Sequence, residues 1–275
     1  MIKRILVGLG ELAHSRSAAA KGVELARAHG AELTGVTLFD PDRLDDSGPV
    51  PIGGGAYAKE LEESRLKAAA EGIAVATEAF LSCCEKAGLA SRVIHEKGDP
   101  LTQLAAHARY HDLIVCGLHG LFEHGVINEP SDLIAKIVQA GIRPIVAVTA
   151  EDRPVKRVLI AYSGSMESAK TMKRFAQLGL WRDASLRIVT FNDDPVLGNE
   201  HLADAAEYFH AHGLRPKVEC VHADPQDHLM EYAGQVGADL IVMGNSAKSL
   251  ILRRIFGETA LHVMRNTNVP LFLAQ

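Results

Sequence analysis

The sequence predicts an α/β protein of two tandem doubly wound domains, each a five-stranded parallel sheet with helices on both faces. Three observations predict it. The chain of 275 residues carries one series of short motifs twice, in the same order. Continuous apolar runs such as Leu240-Ile241-Val242-Met243 have the pattern of strands buried on both faces, as in parallel sheets. Amphipathic stretches of helical length alternate with those runs.

The repeat is read motif by motif. Ile2-Lys3-Arg4-Ile5-Leu6-Val7 returns as Val155-Lys156-Arg157-Val158-Leu159-Ile160. Asp99-Pro100 returns as Asp224-Pro225, each pair opening a helix. Asp112-Leu113-Ile114-Val115-Cys116-Gly117 returns as Asp239-Leu240-Ile241-Val242-Met243-Gly244. Arg143-Pro144-Ile145-Val146 returns as Val269-Pro270-Leu271-Phe272. The domains are therefore expected at 1–150 and 155–275. The offset falls from 153 (Ile2 to Val155) to 125 (Asp99 to Asp224), so the first copy carries 28 additional residues. They fall at about 40–88, a Pro/Gly-rich loop at 40–56 followed by a long helix. A loop of that length is either functional, as a lid or interface arm, or without fixed structure.

In the first copy the pattern places strands near 2–8, 33–39, 92–96, 112–117 and 144–149. Helices fill the gaps near 16–29, 57–87, 100–110 and 131–140. In the second copy strands fall near 156–162, 185–191, 216–222, 239–243 and 269–274, with a helix from Glu258 to Arg265. Ligands of such sheets bind beyond the C-terminal strand ends, where the strand order reverses. The places to search follow the first and fourth strand of each copy.

Composition narrows the function classes. A net charge of −5 argues against a nucleic-acid binder, and no apolar run reaches membrane-spanning length. Met1-Ile2-Lys3-Arg4 leads into a strand rather than a signal segment, which points to the cytoplasm. The four cysteines lack the paired spacing of a zinc site and read as buried, reduced thiols. His201, His210 and His212 read as surface histidines, not metal ligands. Neither a G-x-S-x-G elbow nor a G-x4-G-K-[ST] loop occurs, so no catalytic residue is assigned.

The stretch after the fourth strand carries a resemblance. Gly244-Asn245-Ser246-Ala247-Lys248 is followed, thirteen residues after Gly244, by Gly257-Glu258-Thr259. In the first copy Gly117-Leu118-His119-Gly120 is followed by Pro130-Ser131. With the Asp-Leu-Ile-Val strand, the Asp-Pro helix start and the final strand, these residues resemble the universal stress protein family. That family's phosphate loop has the form G-x2-G-x9-G-[ST], and the whole chain resembles a tandem member. The resemblance implies an adenine nucleotide alpha hydrolase-like fold and a stress-response protein acting as a sensor or regulator. It implies ATP or AMP as ligand, with Mg only alongside bound nucleotide, and a protein partner of unknown identity. It also implies pairing of the two copies through their last strands within the chain, with whole chains pairing again as a homodimer. Glycines of such a loop admit phosphates to backbone N–H groups, and the following helix start adds its positive end.

Carried over by residue, the second copy's site comprises Gly244, Ser246, Ala247, Lys248, Gly257, Glu258 and Thr259. Ser163 ends its first strand and Phe191 its second, where the adenine would lie. The first copy's site comprises Gly117, His119, Gly120 and Ser131. Both copies depart from the pattern. Ala247 replaces the middle glycine and Glu258 the hydroxyl in one; Pro130 replaces the third glycine in the other, removing an N–H. The aspartate that ATP-binding members carry after the first strand is Gly10 in one copy and Ser163 in the other. Asp132 and Glu258 sit in the first turn of the helix that would meet phosphate, where a carboxylate suits the helix and repels an anion. The second copy is therefore the better candidate for a nucleotide and the first is degenerate. Two other readings stand beside the sensor: an interaction protein that binds no nucleotide, and a slow nucleotide hydrolase.

Gly8-Leu9-Gly10-Glu11-Leu12-Ala13 also matches the dinucleotide-binding turn G-x-G-x-x-A. Its counterparts are Ala161 and Ser163, and the nearest acidic residue in the right topological place, Asp40, lies thirty residues past Gly10. A dinucleotide turn wants that residue about twenty positions on. The match reads as a decoy.

Overall fold

The computed structural model describes residues 2–40, 55–118, 142, 144–244 and 258–274. The chain divides into two compact units, Ile2–Ile142 with Val148–Asp152, and Arg143–Ala147 with Arg153–Gln275.

The first unit runs β1 (Arg4–Leu9), α1 (Leu12–His29), β2 (Glu32–Phe39), α2 (Gly55–Lys86), β3 (Ser91–Lys97), α3 (Pro100–Ala108) and β4 (Leu113–Gly117). Its strands are parallel in the order β3-β2-β1-β4. The inner strands β1 and β4 are buried almost throughout, whereas the outer β3 is only partly covered. Helix α1 begins at Leu12, four residues before the sequence pattern suggests, because Glu11 takes an extended, capping backbone conformation. Helix α2 is one continuous element that buries a stripe of Ala69, Ala76, Phe80 and Cys84 and packs on α1.

The second unit contains β5 (Ile145–Val148), β6 (Arg157–Ala161), α4 (Met166–Leu178), β7 (Ser185–Phe191), α5 (Pro195–Ala211), β8 (Lys217–Val221), α6 (Pro225–Gln235), β9 (Leu240–Met243), α7 (Glu258–Asn266) and β10 (Leu271–Leu273). Its order is β5-β10-β9-β6-β7-β8, with β6 to β10 mutually parallel. Strand β5 runs antiparallel to β10, with Ile145, Val146 and Ala147 opposite Leu273, Phe272 and Leu271.

The repeated motifs have structural causes. Asp112 accepts hydrogen bonds from the N–H groups of Lys3 (2.7 Å) and Arg4 (3.0 Å), and Asp239 from those of Lys156 (3.1 Å) and Arg157 (2.9 Å). Each carboxylate thus ties the start of the fourth strand to the start of the first. Asp99 and Asp224 cap α3 and α6 through their side chains, with proline at the next position. All four cysteines are free. Cys84 and Cys116 are buried as expected, but Cys83 and Cys220 are only half-buried. Burial pushes the Cys116 thiol up to about 12.

Candidate functional site

In both units the chain moves outward from the first strand and returns to pair the fourth strand on its other side. The strand order therefore reverses between β1 and β4, and between β6 and β9. The crevice beyond the C-terminal ends of β6 and β9 is the place where a doubly wound sheet takes a ligand. There the second unit has a cavity of about 80 Å³ whose wall includes Tyr162, Ser163, Phe191, Met243, Gly244 and Thr259.

Ser163 and Ser168 of this wall form, with Ser165 beside it, a triangle of hydroxyls. Ser163 Oγ donates to Ser165 Oγ (3.0 Å) and lies 3.2 Å from Ser168 Oγ, which is 3.2 Å from Ser165 Oγ. Ser165 is the N-cap of α4, accepting from the Ser168 N–H. Ser168, in the first turn of α4, does not cap it. Its hydroxyl instead turns inward, donating to the Ser165 carbonyl (2.9 Å) and receiving the Ser163 N–H (3.3 Å). The cluster presents neutral oxygens where an aspartate would present charge, so it can donate to or accept from a sugar hydroxyl but adds no carboxylate.

The first unit fills the same position with the same bond to the amide and a different carbonyl partner. Ser15 lies at the repeat offset of 153 from Ser168 and is buried. Its hydroxyl both accepts from the Gly10 N–H (2.9 Å) and donates to the Gly10 carbonyl (3.1 Å). The amide that a dinucleotide turn would offer to phosphate is therefore already bonded inside the chain. Beside it Glu11 pairs with His14 at 2.6 Å.

The apolar part of the second unit's wall comes from strand ends. Phe191, half-buried, meets Tyr232 edge to face with centroids 6.2 Å apart. Tyr162 meets His201 in the same way at 6.3 Å, and its carbonyl is held by the Thr190 hydroxyl at 2.5 Å. Burial, reinforced by Asp204, raises the Tyr162 phenol above its usual range and keeps it a neutral donor. His201 Nδ1 is buried and has no hydrogen-bond partner among the described residues. It faces Gly164, where a Cβ would fall 2.2 Å from it. His210 and His212 are exposed, and no group able to hold a metal occurs among the described residues.

Gly244 has a steric reason to be glycine. A Cβ there would lie 2.7 Å from Ser168 Cα and 2.9 Å from both Glu167 O and Ser168 N. The end of β9 thus packs on the backbone of the first turn of α4, and so on the serine cluster. Thr259, in the first turn of α7, is partly exposed and faces the same cavity.

Of the sequence-derived site residues, the structure brings together Ser163, Phe191, Gly244 and Thr259 in one cavity. Gly117 ends β4, buried, in the first unit. Ser246, Ala247, Lys248, Gly257, His119, Gly120 and Ser131 lie outside the described residues, as do the expected helix at 131–140 and most of the loop at 40–56. Glu258 is described only as the first residue of α7. Of the serine triangle the sequence points only to Ser163, and it does not point to Ser15; the signal that could find Ser168 and Ser15 is that they share the repeat offset.

The model of the universal stress protein family matches residues 1–135 and again 154–275. A universal stress protein of Synechocystis sp., Slr1230, is 24% identical over 216 residues, covering 77% of this chain and 75% of its own. The crystal structure of a universal stress protein from Archaeoglobus fulgidus superposes with a TM-score of 0.65 at 18% identity, covering 98% of this chain and 96% of its own. A functionally unknown protein of Pseudomonas aeruginosa superposes at 0.61 and 15% identity, over 99% and 92%. The last two likenesses concern the fold.

Proposed function

Because the chain belongs to the universal stress protein family, we propose that it is a cytoplasmic stress-response regulator whose second unit binds one adenine nucleotide. ATP or AMP would lie across the ends of β6 and β9, and Mg would enter only with the nucleotide. The first unit holds no nucleotide in this reading. The protein acts by binding, through an exchange of partners tied to nucleotide level, rather than by turnover. Its chains pair as homodimers, and its protein partner is of unknown identity.

One observation carries the reading. Beyond the ends of β6 and β9, where the strand order of the second unit reverses, a cavity is lined by Ser163, Phe191, Gly244 and Thr259; the first unit is set aside on its sequence, where Pro130 replaces the third glycine of the loop. Phe191 offers an aromatic edge for the base, Thr259 a hydroxyl at a helix start, and that start a positive dipole end.

The serine triangle favours a second reading, an interaction protein that binds no nucleotide. Its three hydroxyls already bond to one another and leave fewer free donors for a ligand. Calorimetric titration of ATP and AMP into wild type, Phe191→Ala and Glu258→Ser separates the readings. The nucleotide reading expects binding that Phe191→Ala weakens and Glu258→Ser strengthens, the latter by removing a carboxylate from the phosphate's helix. Absence of binding in wild type would leave the interaction protein, and steady phosphate release from ATP would leave the hydrolase.

A further inference from the structure

The second unit has another hollow, of about 400 Å³, at the opposite edge of its sheet, among the starts of β6, β7 and β8 and the loops that feed them. It lies within the size range of small-molecule sites. Its lining includes five cations, Arg157, Arg182, Arg187, Arg215 and Lys217, and no acidic side chain. This concentration occurs in a chain whose net charge is −5.

Two of the five are partly neutralised from outside the hollow. Arg157 pairs with Asp239 at 3.1 Å and Arg187 with Glu219 at 2.7 Å. Arg182, Arg215 and Lys217 are exposed, and none has an ion-pair partner among the described residues. Helices α4, α5 and α6 end at this edge, and a cation near each end offsets the helix dipole. That effect asks for one charge per terminus; it does not ask for four guanidinium groups lining a single concavity.

The turn that delivers Arg182 is strained. Trp181 has φ 47°, the only positive φ outside glycine among the described residues. Such a conformation is disfavoured for a bulky residue. It is held between Gly179, which ends α4 in the left-handed region, and the buried Leu180. Arg182 folds back over Gly179, so that a Cβ there would fall 2.7 Å from its Nε. Arg182, exposed, follows this strained turn and lines the hollow with the other cations.

We propose that this hollow binds a short chain of linked phosphates, either free or carried by a nucleoside. Clustered like charges repel until a multivalent anion neutralises them, and planar guanidinium forks match phosphate oxygens two at a time. A concave site of this size, fed by three short loops, suits a compact polyanion rather than an extended acidic peptide. The site stands apart from the adenine cavity and does not depend on it.

Calorimetric titration of sodium tripolyphosphate into the full chain tests the proposal, with Trp181 fluorescence as a second readout. Saturable 1:1 binding is expected, weakened by about tenfold or more in Arg182→Ala/Arg215→Ala, since each lost charged contact is worth a factor of that order. Phe191→Ala, at the opposite edge, leaves it unchanged. ATP serves as a second titrant: the share of its binding that the double variant loses, set against the loss for tripolyphosphate, tells a nucleoside-borne chain from a free one. No saturable binding, equal affinity in the double variant, or orthophosphate binding as tightly as tripolyphosphate would overturn the proposal. Tighter capture of a ten-residue polyglutamate peptide would overturn it too, and reassign the hollow to an acidic protein segment.

Discussion

Gly244→Ala separates two reasons for a glycine at the head of a phosphate loop. If the glycine exists to admit a phosphate, the substitution harms binding and leaves the fold alone. If it exists to let β9 pack on α4, the fold itself is strained. The added methyl would meet Ser168 Cα at 2.7 Å and two further backbone atoms at 2.9 Å. All three are backbone, so no side chain can rotate away, and the first turn of α4 must move by several tenths of an ångström. Overpacking of this kind costs about 1–3 kcal/mol. The sole tryptophan, Trp181, lies in the turn after α4 and so reports the unit that carries the change. Urea unfolding followed by Trp181 fluorescence should show a lower midpoint at unchanged slope. Displacement of Ser163 and Ser168 should weaken ATP binding in parallel. A midpoint within error of wild type, with ATP binding lost, would refute the packing argument and return Gly244 to the phosphate.

Three further outcomes follow from the same geometry. Gly164→Ala combines a φ of 73° with a Cβ 2.2 Å from His201 Nδ1, and should cost about 1–3 kcal/mol by the same fluorescence assay. Burial raises the Asp239 pKa, but hydrogen bonds from the Arg157 guanidinium and from the Lys156 and Arg157 N–H groups outweigh it and leave the carboxyl below its ordinary value. Its folded pKa is depressed, so its contribution is complete above the unfolded value of about 4 and is lost as pH falls through the folded one. Asp239→Asn should therefore lower the urea midpoint at pH 7 and flatten its decline on acidification; an unaltered acid limb would contradict this. Iodoacetamide at pH 8, read by peptide mass mapping, should modify the half-buried Cys83 and Cys220 before Cys84 and Cys116, since burial holds the Cys116 thiolate out of reach.

Much of the fold was legible because the chain states it twice. A repeated Asp-Leu-Ile-Val run and a repeated Asp-Pro pair mark structural duties: the first aspartate ties two strand starts together and the second caps a helix. The candidate site was legible where a residue sits at a strand end, as with Ser163 and Phe191, because parallel topology gathers those ends at one edge. The serine cluster was not. Ser163, Ser165 and Ser168 are interchangeable as capping residues, and only the backbone turn decides which hydroxyl caps α4 and which turns inward. The cationic hollow was equally hidden, since its members lie between Arg157 and Lys217 without forming a run. Only the sheet brings their strand starts together.

The proposed function rests on one nucleotide cavity per chain, beyond the ends of β6 and β9 in the second unit. Equilibrium dialysis of ATP against the full chain, repeated with Arg182→Ala/Arg215→Ala to remove the opposite hollow, counts the adenine sites directly. One ATP per chain is expected in the double variant, lost on further Phe191→Ala substitution. Two per chain, or one that survives Phe191→Ala, would contradict the proposed function.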